Sequence, residues 1–123
     1  MSVFIAEDRR QLIKEMIQEF SRRLHDAEGK NLKQIVVFGS VARGEEKDGS
    51  DIDIFVLVEK IDLRVRDRIY DIAYAVDGDM CSHRIMISPF VVGLEEYEKA
   101  KDSELVFHFI KKDGALIYDI DAF

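Results

Sequence analysis

Cysteine and proline each occur once in the 123 residues, as Cys81 and Pro89. A single thiol excludes an internal disulfide framework and a cysteine-cluster zinc site, and makes the reducing cytoplasm the expected compartment. Long hydrophobic runs are also missing. The longest extend over a few residues only, too short for a transmembrane helix. The opening residues MSVFIAEDRR lack a basic start followed by an apolar stretch, so no signal peptide is expected. Positive charge is the scarcer sign: 18 Lys and Arg stand against 25 Asp and Glu, for a formal net charge of −7. A chain of that sign gains little from releasing counterions on a phosphate backbone, so direct nucleic-acid binding is not expected. Metal ions, a metal–nucleotide complex and a basic protein partner all remain compatible with it. What is present is a globular composition, 47% hydrophobic and 35% charged, at a length suited to one domain over residues 1–123.

Periodicity then divides the chain. Over residues 6–27, Leu12, Ile13, Met16, Ile17, Phe20 and Leu24 recur three or four apart, which predicts an amphipathic helix. Gly29 is placed to cap it in the left-handed conformation. Residues 34–38 (QIVVF) form a β-branched run ended by glycine, and residues 51–58 (DIDIFVLV) alternate first and are then apolar on both faces; both predict strands. A second helix is expected over 62–76 with Asp62 as its cap and Leu63, Ile69, Ile72, Ala73 and Val76 along one side. Residues 84–92 predict a strand at an edge or bulge, because Pro89 has no N–H for a ladder. Helices over 94–100 and 103–112, a stop at Gly114 and a last strand over 115–120 complete the pattern. The expected fold class is α/β (α+β), a mixed central sheet with flanking helices.

Chemistry concentrates in residues 37–58. Gly39-Ser40 follows a strand, where glycine lets a ligand approach the backbone and a turn with free N–H groups suits phosphate oxygens; Ser40 adds a hydroxyl donor. Asp51 and Asp53 follow, separated by Ile52. Side chains alternate along a strand, so both carboxylates project from one face while Ile52 and Ile54 pack on the other. Two adjacent acceptor-only groups repel unless a cation lies between them, and hard oxygen donors beside a phosphate turn suit Mg2+. A pair of ions about 3.5–4 Å apart would activate an attacking hydroxyl and stabilise a departing pyrophosphate. The spaced ligands and terminal glutamate of an EF-hand calcium loop are absent.

Gly39-Ser40, ten residues, then Asp51-Ile52-Asp53 resembles the signature of the DNA polymerase β-like nucleotidyltransferase superfamily. Val41-Ala42-Arg43-Gly44 is similar to its small stand-alone branch, the minimal nucleotidyltransferases. The leading helix, Ile87-Ser88-Pro89 and the closing segment with Gly114, Leu116 and Tyr118 extend the resemblance over nearly the whole chain. It implies the polymerase β-like fold and transfer of a nucleoside monophosphate, with ATP the favoured donor, from a magnesium–nucleoside triphosphate to a hydroxyl. Gly39 and Ser40 would hold the triphosphate, and Asp51 and Asp53 the metal ions. Arg43 would reach a phosphate, against the alternative of an ion pair with Glu45, Glu46 or an aspartate. Small members of the branch resemble antitoxins that neutralise HEPN-type helical ribonucleases by binding them or by adding AMP, so the implied partner is such a protein or a second copy of the chain.

One departure stands out. The superfamily carries a third carboxylate on the next strand, yet no Asp or Glu occurs from Met80 through Leu94. By the resemblance Met86 takes that place, and a thioether is a poor magnesium ligand. The alternative expectation is therefore a catalytically impaired nucleotide-binding or antitoxin module. Asp77 and Asp79 precede the strand, with a loop cap as their expected use. Cys81, His83 and Arg84 read as a polar loop rather than a nucleophile site, His25 and His108 as surface or boundary residues, and Tyr70, Tyr74, Phe107 and Phe109 as core or interface aromatics.

Overall fold

The computed structural model describes residues 6–45, 47, 49 and 51–119. The expected roles of Glu46 and of the final strand residue Ile120 lie outside the described residues. Helix α1 (Ala6–Glu28) leads through a 3-10 turn at Gly29–Asn31 into β1 (Leu32–Phe38). The short turn α2 (Gly39–Ala42) precedes β2 (Ile52–Val58), followed by α3 (Leu63–Cys81) and β3 (Ile87–Gly93). Helices α4 (Leu94–Ala100) and α5 (Leu105–Asp113) and strand β4 (Ala115–Asp119) complete the order.

The four strands form one sheet in the order β3-β2-β1-β4. Strand β2 runs antiparallel to β1 and parallel to β3, while β4 pairs antiparallel with β1, so the sheet is mixed as expected. Pro89 lies on the edge strand, where its missing donor breaks no second ladder. On one sheet face, Met16, Phe20 and Leu24 of α1 and Ile69 and Val76 of α3 meet Ile35, Ile52, Ile54 and Val56 in a buried core. On the other, Val36, Phe55, Leu57 and Val92 meet Phe107 and Ile110 of α5. The change in β2 from alternating to continuously apolar thus marks where the second layer begins. Leu24 is fully buried, so truncation to alanine there would cost about 2–5 kcal/mol.

Two local signals hold closely. Gly29 takes φ +53° at the end of α1, and Asp62 Oδ1 accepts the Val65 N–H at 2.8 Å to cap α3. Gly114 is required by crowding: a side chain there would meet the Ile110 carbonyl and the Val36 methyl. Helix α3, however, extends five residues beyond the expected end. Asp77, Asp79 and Cys81 are helical rather than in a loop, and the turn that follows places Ser82 and His83 at positive φ. Leu63, expected on the apolar side of this helix, is exposed, as is Leu105 at the start of α5. Among the described residues, no helix is long and apolar enough to cross a membrane.

Candidate nucleotide and metal site

Strand register assembles the site. Phe38, the last residue of β1, pairs with Asp53 of β2, so the chain turns at Gly39 directly beside that carboxylate. Gly39 has φ +73°, a conformation that side chains resist, and a Cβ at this position would collide with Asp53 Oδ2. Glycine is therefore needed twice over. Ser40 follows in α2, whose start carries no side-chain cap, and the Glu45 N–H returns to the Ser40 carbonyl at 2.8 Å. Val41 and Ala42 pack against the core and anchor the turn.

Ile52 and Ile54 are fully buried on the α1/α3 face, as the alternation requires. Asp53 projects from the opposite face and is half-buried; Asp51, immediately before β2, is exposed. Burial and the negative charge of Asp51 push the Asp53 carboxyl above its ordinary pKa, and the Arg43 guanidinium offsets this in part. No donor among the described residues hydrogen-bonds the Asp51 or Asp53 side chain. A half-buried carboxylate without donors and beside a second carboxylate is destabilised in its charged form, and a divalent cation relieves that cost. The donor set of hard oxygens fits such an ion.

Arg43 lies over the same region with its Nε 3.0 Å from Glu45 Oε2. Both side chains are exposed, so this ion pair holds the guanidinium weakly, by about 0–1 kcal/mol. Of the two sequence alternatives for Arg43, the ion pair is the one seen here, and it is easily exchanged for a stronger anion.

The third-ligand position is also defined. Ile52 pairs with Ile87 and Asp53 with Ser88, and the Ile52 N–H donates to the Met86 carbonyl at 2.9 Å. Continuing this register sets Met86 opposite Asp51. Among the described residues there is no cluster of three or more His, Cys, Asp or Glu able to hold a metal. Asp77 does not supply the missing ligand. It is buried on α3, and its Oδ1 accepts the Ile87 N–H at 3.0 Å, fixing the start of β3. Asp79 instead pairs with Arg23 at 3.1 Å.

The remaining residues divide cleanly. Cys81 is buried, and its sulfur bonds the Asp77 carbonyl and the Ile85 N–H, each at 3.3 Å; it closes the helix rather than serving a polar loop. His83 stacks on Tyr74 with ring centroids 4.3 Å apart. His25 and His108 are exposed. Of the aromatics expected in the core or an interface, Phe107 is core, while Tyr70, Tyr74 and Phe109 are exposed, which leaves the interface alternative for these three. Tyr70 and Tyr74 line a cavity of about 350 Å³ between α3 and β3, together with Asp77 and Met86. That cavity was not legible in the sequence, because it depends on how α3 packs beside β3.

A sheet with a glycine turn facing an Asp-x-Asp strand, backed by two helices, defines a nucleotidyltransferase-type domain. The chain belongs to the nucleotidyltransferase domain family, whose model matches residues 13–112. A Methanocaldococcus jannaschii protein named as a protein adenylyltransferase is 33% identical over 80 residues, spanning 63% of this chain and 76% of that relative. The fold is shared with an MNT antitoxin–HEPN toxin complex from Shewanella oneidensis in which the toxin is tri-AMPylated. There the TM-score is 0.54 at 20% identity, over 89% of this chain and 74% of that one. It is shared too with a spectinomycin adenyltransferase from Enterococcus faecialis, solved with ATP and spectinomycin: TM-score 0.63, 18% identity, 87% of this chain and 56% of that one. The expected nucleotidyltransferase family is thereby borne out, and the fold is one found in a minimal nucleotidyltransferase antitoxin.

Proposed function

We propose that this protein is a magnesium-dependent nucleotidyltransferase that passes a nucleoside monophosphate, AMP in preference, from a nucleoside triphosphate to a hydroxyl on a HEPN-type helical partner, as the antitoxin of a toxin–antitoxin pair. The observation that carries the reading is the contact of the Gly39 turn with Asp53 in a site whose two carboxylates have no protein donors among the described residues. Asp51 and Asp53 would hold Mg2+ against the triphosphate, Gly39 and Ser40 would receive its oxygens, and Arg43 would leave Glu45 for a phosphate. When bound, Mg2+ neutralises charge on the triphosphate and lowers the pKa of a coordinated hydroxyl. The adenylyltransferase relative and the AMP-bearing toxin complex support AMP and a protein acceptor.

A second reading has its own observation. With Met86 opposite Asp51 and no third carboxylate in the site among the described residues, the domain would bind metal–nucleotide yet transfer slowly, and act by binding its partner. Incubating the protein with the product of its neighbouring gene and α-labelled ATP separates the two. Label on the partner supports transfer; binding of the partner without label supports the second reading; neither would overturn both.

A further inference from the structure

The cavity between α3 and the beginning of β3 has a composition that selects its occupant. Tyr70 and Tyr74 form an exposed aromatic rim, Met86 and Pro89 an apolar side, and Asp71 and Asp77 the acidic groups; among the described residues no lysine, arginine or histidine lines it. Asp77 is only 1% exposed, yet among the described residues only the Ile87 N–H donates to its carboxyl, and that bond uses Oδ1. The second oxygen is thus buried without a hydrogen-bond donor, which is costly unless a ligand supplies one. His83 stacks on Tyr74 and steadies the rim. Aromatic faces, a polarisable thioether and two carboxylates without a lining base favour an organic cation over a neutral ring or an anion.

We propose that this cavity binds a guanidinium or ammonium side chain of the acceptor protein and so anchors that protein beside the Asp51–Asp53 site. The proposal rests on the reading above in one respect, that the acceptor is a polypeptide. Placement supports it: Met86 lines the cavity, and its carbonyl holds the Ile52 N–H between the two site aspartates. A basic residue seated here lies close to any hydroxyl presented to those aspartates. The net charge of −7 adds a long-range attraction for a basic partner surface.

The test needs neither nucleotide nor partner. The full chain, labelled at its methionine methyl groups and tyrosine rings, is titrated with N-acetyl-arginine amide, N-acetyl-lysine amide and the uncharged isostere N-acetyl-citrulline amide while its NMR spectrum is followed. The expected result is saturable shifts of Met86 and Tyr74 with a cationic compound, no response to citrulline, and a still signal from buried Met16. A stronger arginine response assigns the site to a guanidinium, and a stronger lysine response to an ammonium. Asp77→Asn keeps an acceptor for Ile87 and should weaken binding at least about tenfold; Tyr74→Ala, at a surface position, should weaken it as well. Equal shifts from citrulline, an undiminished response in Asp77→Asn, or no response at the highest soluble concentration would overturn the proposal. Because no ATP is present, cation binding without label transfer in the partner assay would sink the transferase reading alone, and transfer without cation binding would sink this one alone.

Discussion

Asp77→Asn should stabilise the folded protein at neutral pH even as it removes the buried one of the cavity's two carboxylates. Burial is the main influence on this carboxyl and pushes it from the ordinary 3.8 up to about 6, with Asp51 adding to the rise. The Ile87 N–H and His83 pull the other way without cancelling it. The sign follows from proton counting. Between pH 3.8 and about 6 the folded chain holds a proton that the unfolded chain has released, so stability falls as pH rises through this window. Above it both states are ionised and the fold bears the full cost. A displacement of roughly two pKa units corresponds to about 3 kcal/mol, which sets the upper limit of the effect. Asparagine keeps an oxygen for the Ile87 N–H and carries no charge to bury. Urea unfolding followed by far-ultraviolet circular dichroism from acid to mildly alkaline pH reads the difference. The variant should be more stable than the parent at pH 8 by up to about 3 kcal/mol, with the gap closing below pH 4. A gap independent of pH, or a variant less stable at pH 8, would refute the reasoning.

Two further outcomes follow from the site geometry. Gly39→Ala combines a left-handed backbone with a clash against Asp53, so it should cost about 1–3 kcal/mol in thermal unfolding and weaken ATP binding; unchanged values of both would contradict the placement of the turn. Met86→Asp restores a carboxylate opposite Asp51 and should raise label transfer to the partner and tighten magnesium binding. A drop in both for a folded variant would show that the third ligand does not belong at this position.

Much of this was readable in the chain because it rests on short-range rules. The spacing of Gly39-Ser40 and Asp51-Ile52-Asp53 states both the turn and the shared strand face; Gly29 and Pro89 act through their own backbone, and the Asp62 side chain reaches only three residues on, to the Val65 N–H. The end of α3 was hidden because Asp77-Gly78-Asp79 carries poor helix formers, and tertiary contacts override that preference. Asp77 is held by Ile87 ten residues on, and the His83 ring sits where a side chain on Gly78 would project. Residue type left Tyr70 and Tyr74 open between core and interface, and position on the helix decides it. They follow the buried stripe of Ile69 and Ala73 by one position each, so the helix turns them about 100° away from the core. The order of the sheet, with β2 central and β3 beside it in parallel, depends on long-range pairing that no local pattern contains.

The most direct measurement is calorimetric titration of ATP in the presence of magnesium into the parent protein and into the Asp51→Asn, Asp53→Asn double variant. Saturable binding that requires magnesium in the parent and disappears in a folded double variant is the predicted result. Equal binding by the two proteins, or binding by the parent that is indifferent to magnesium, would contradict a metal–nucleotide site built on these aspartates.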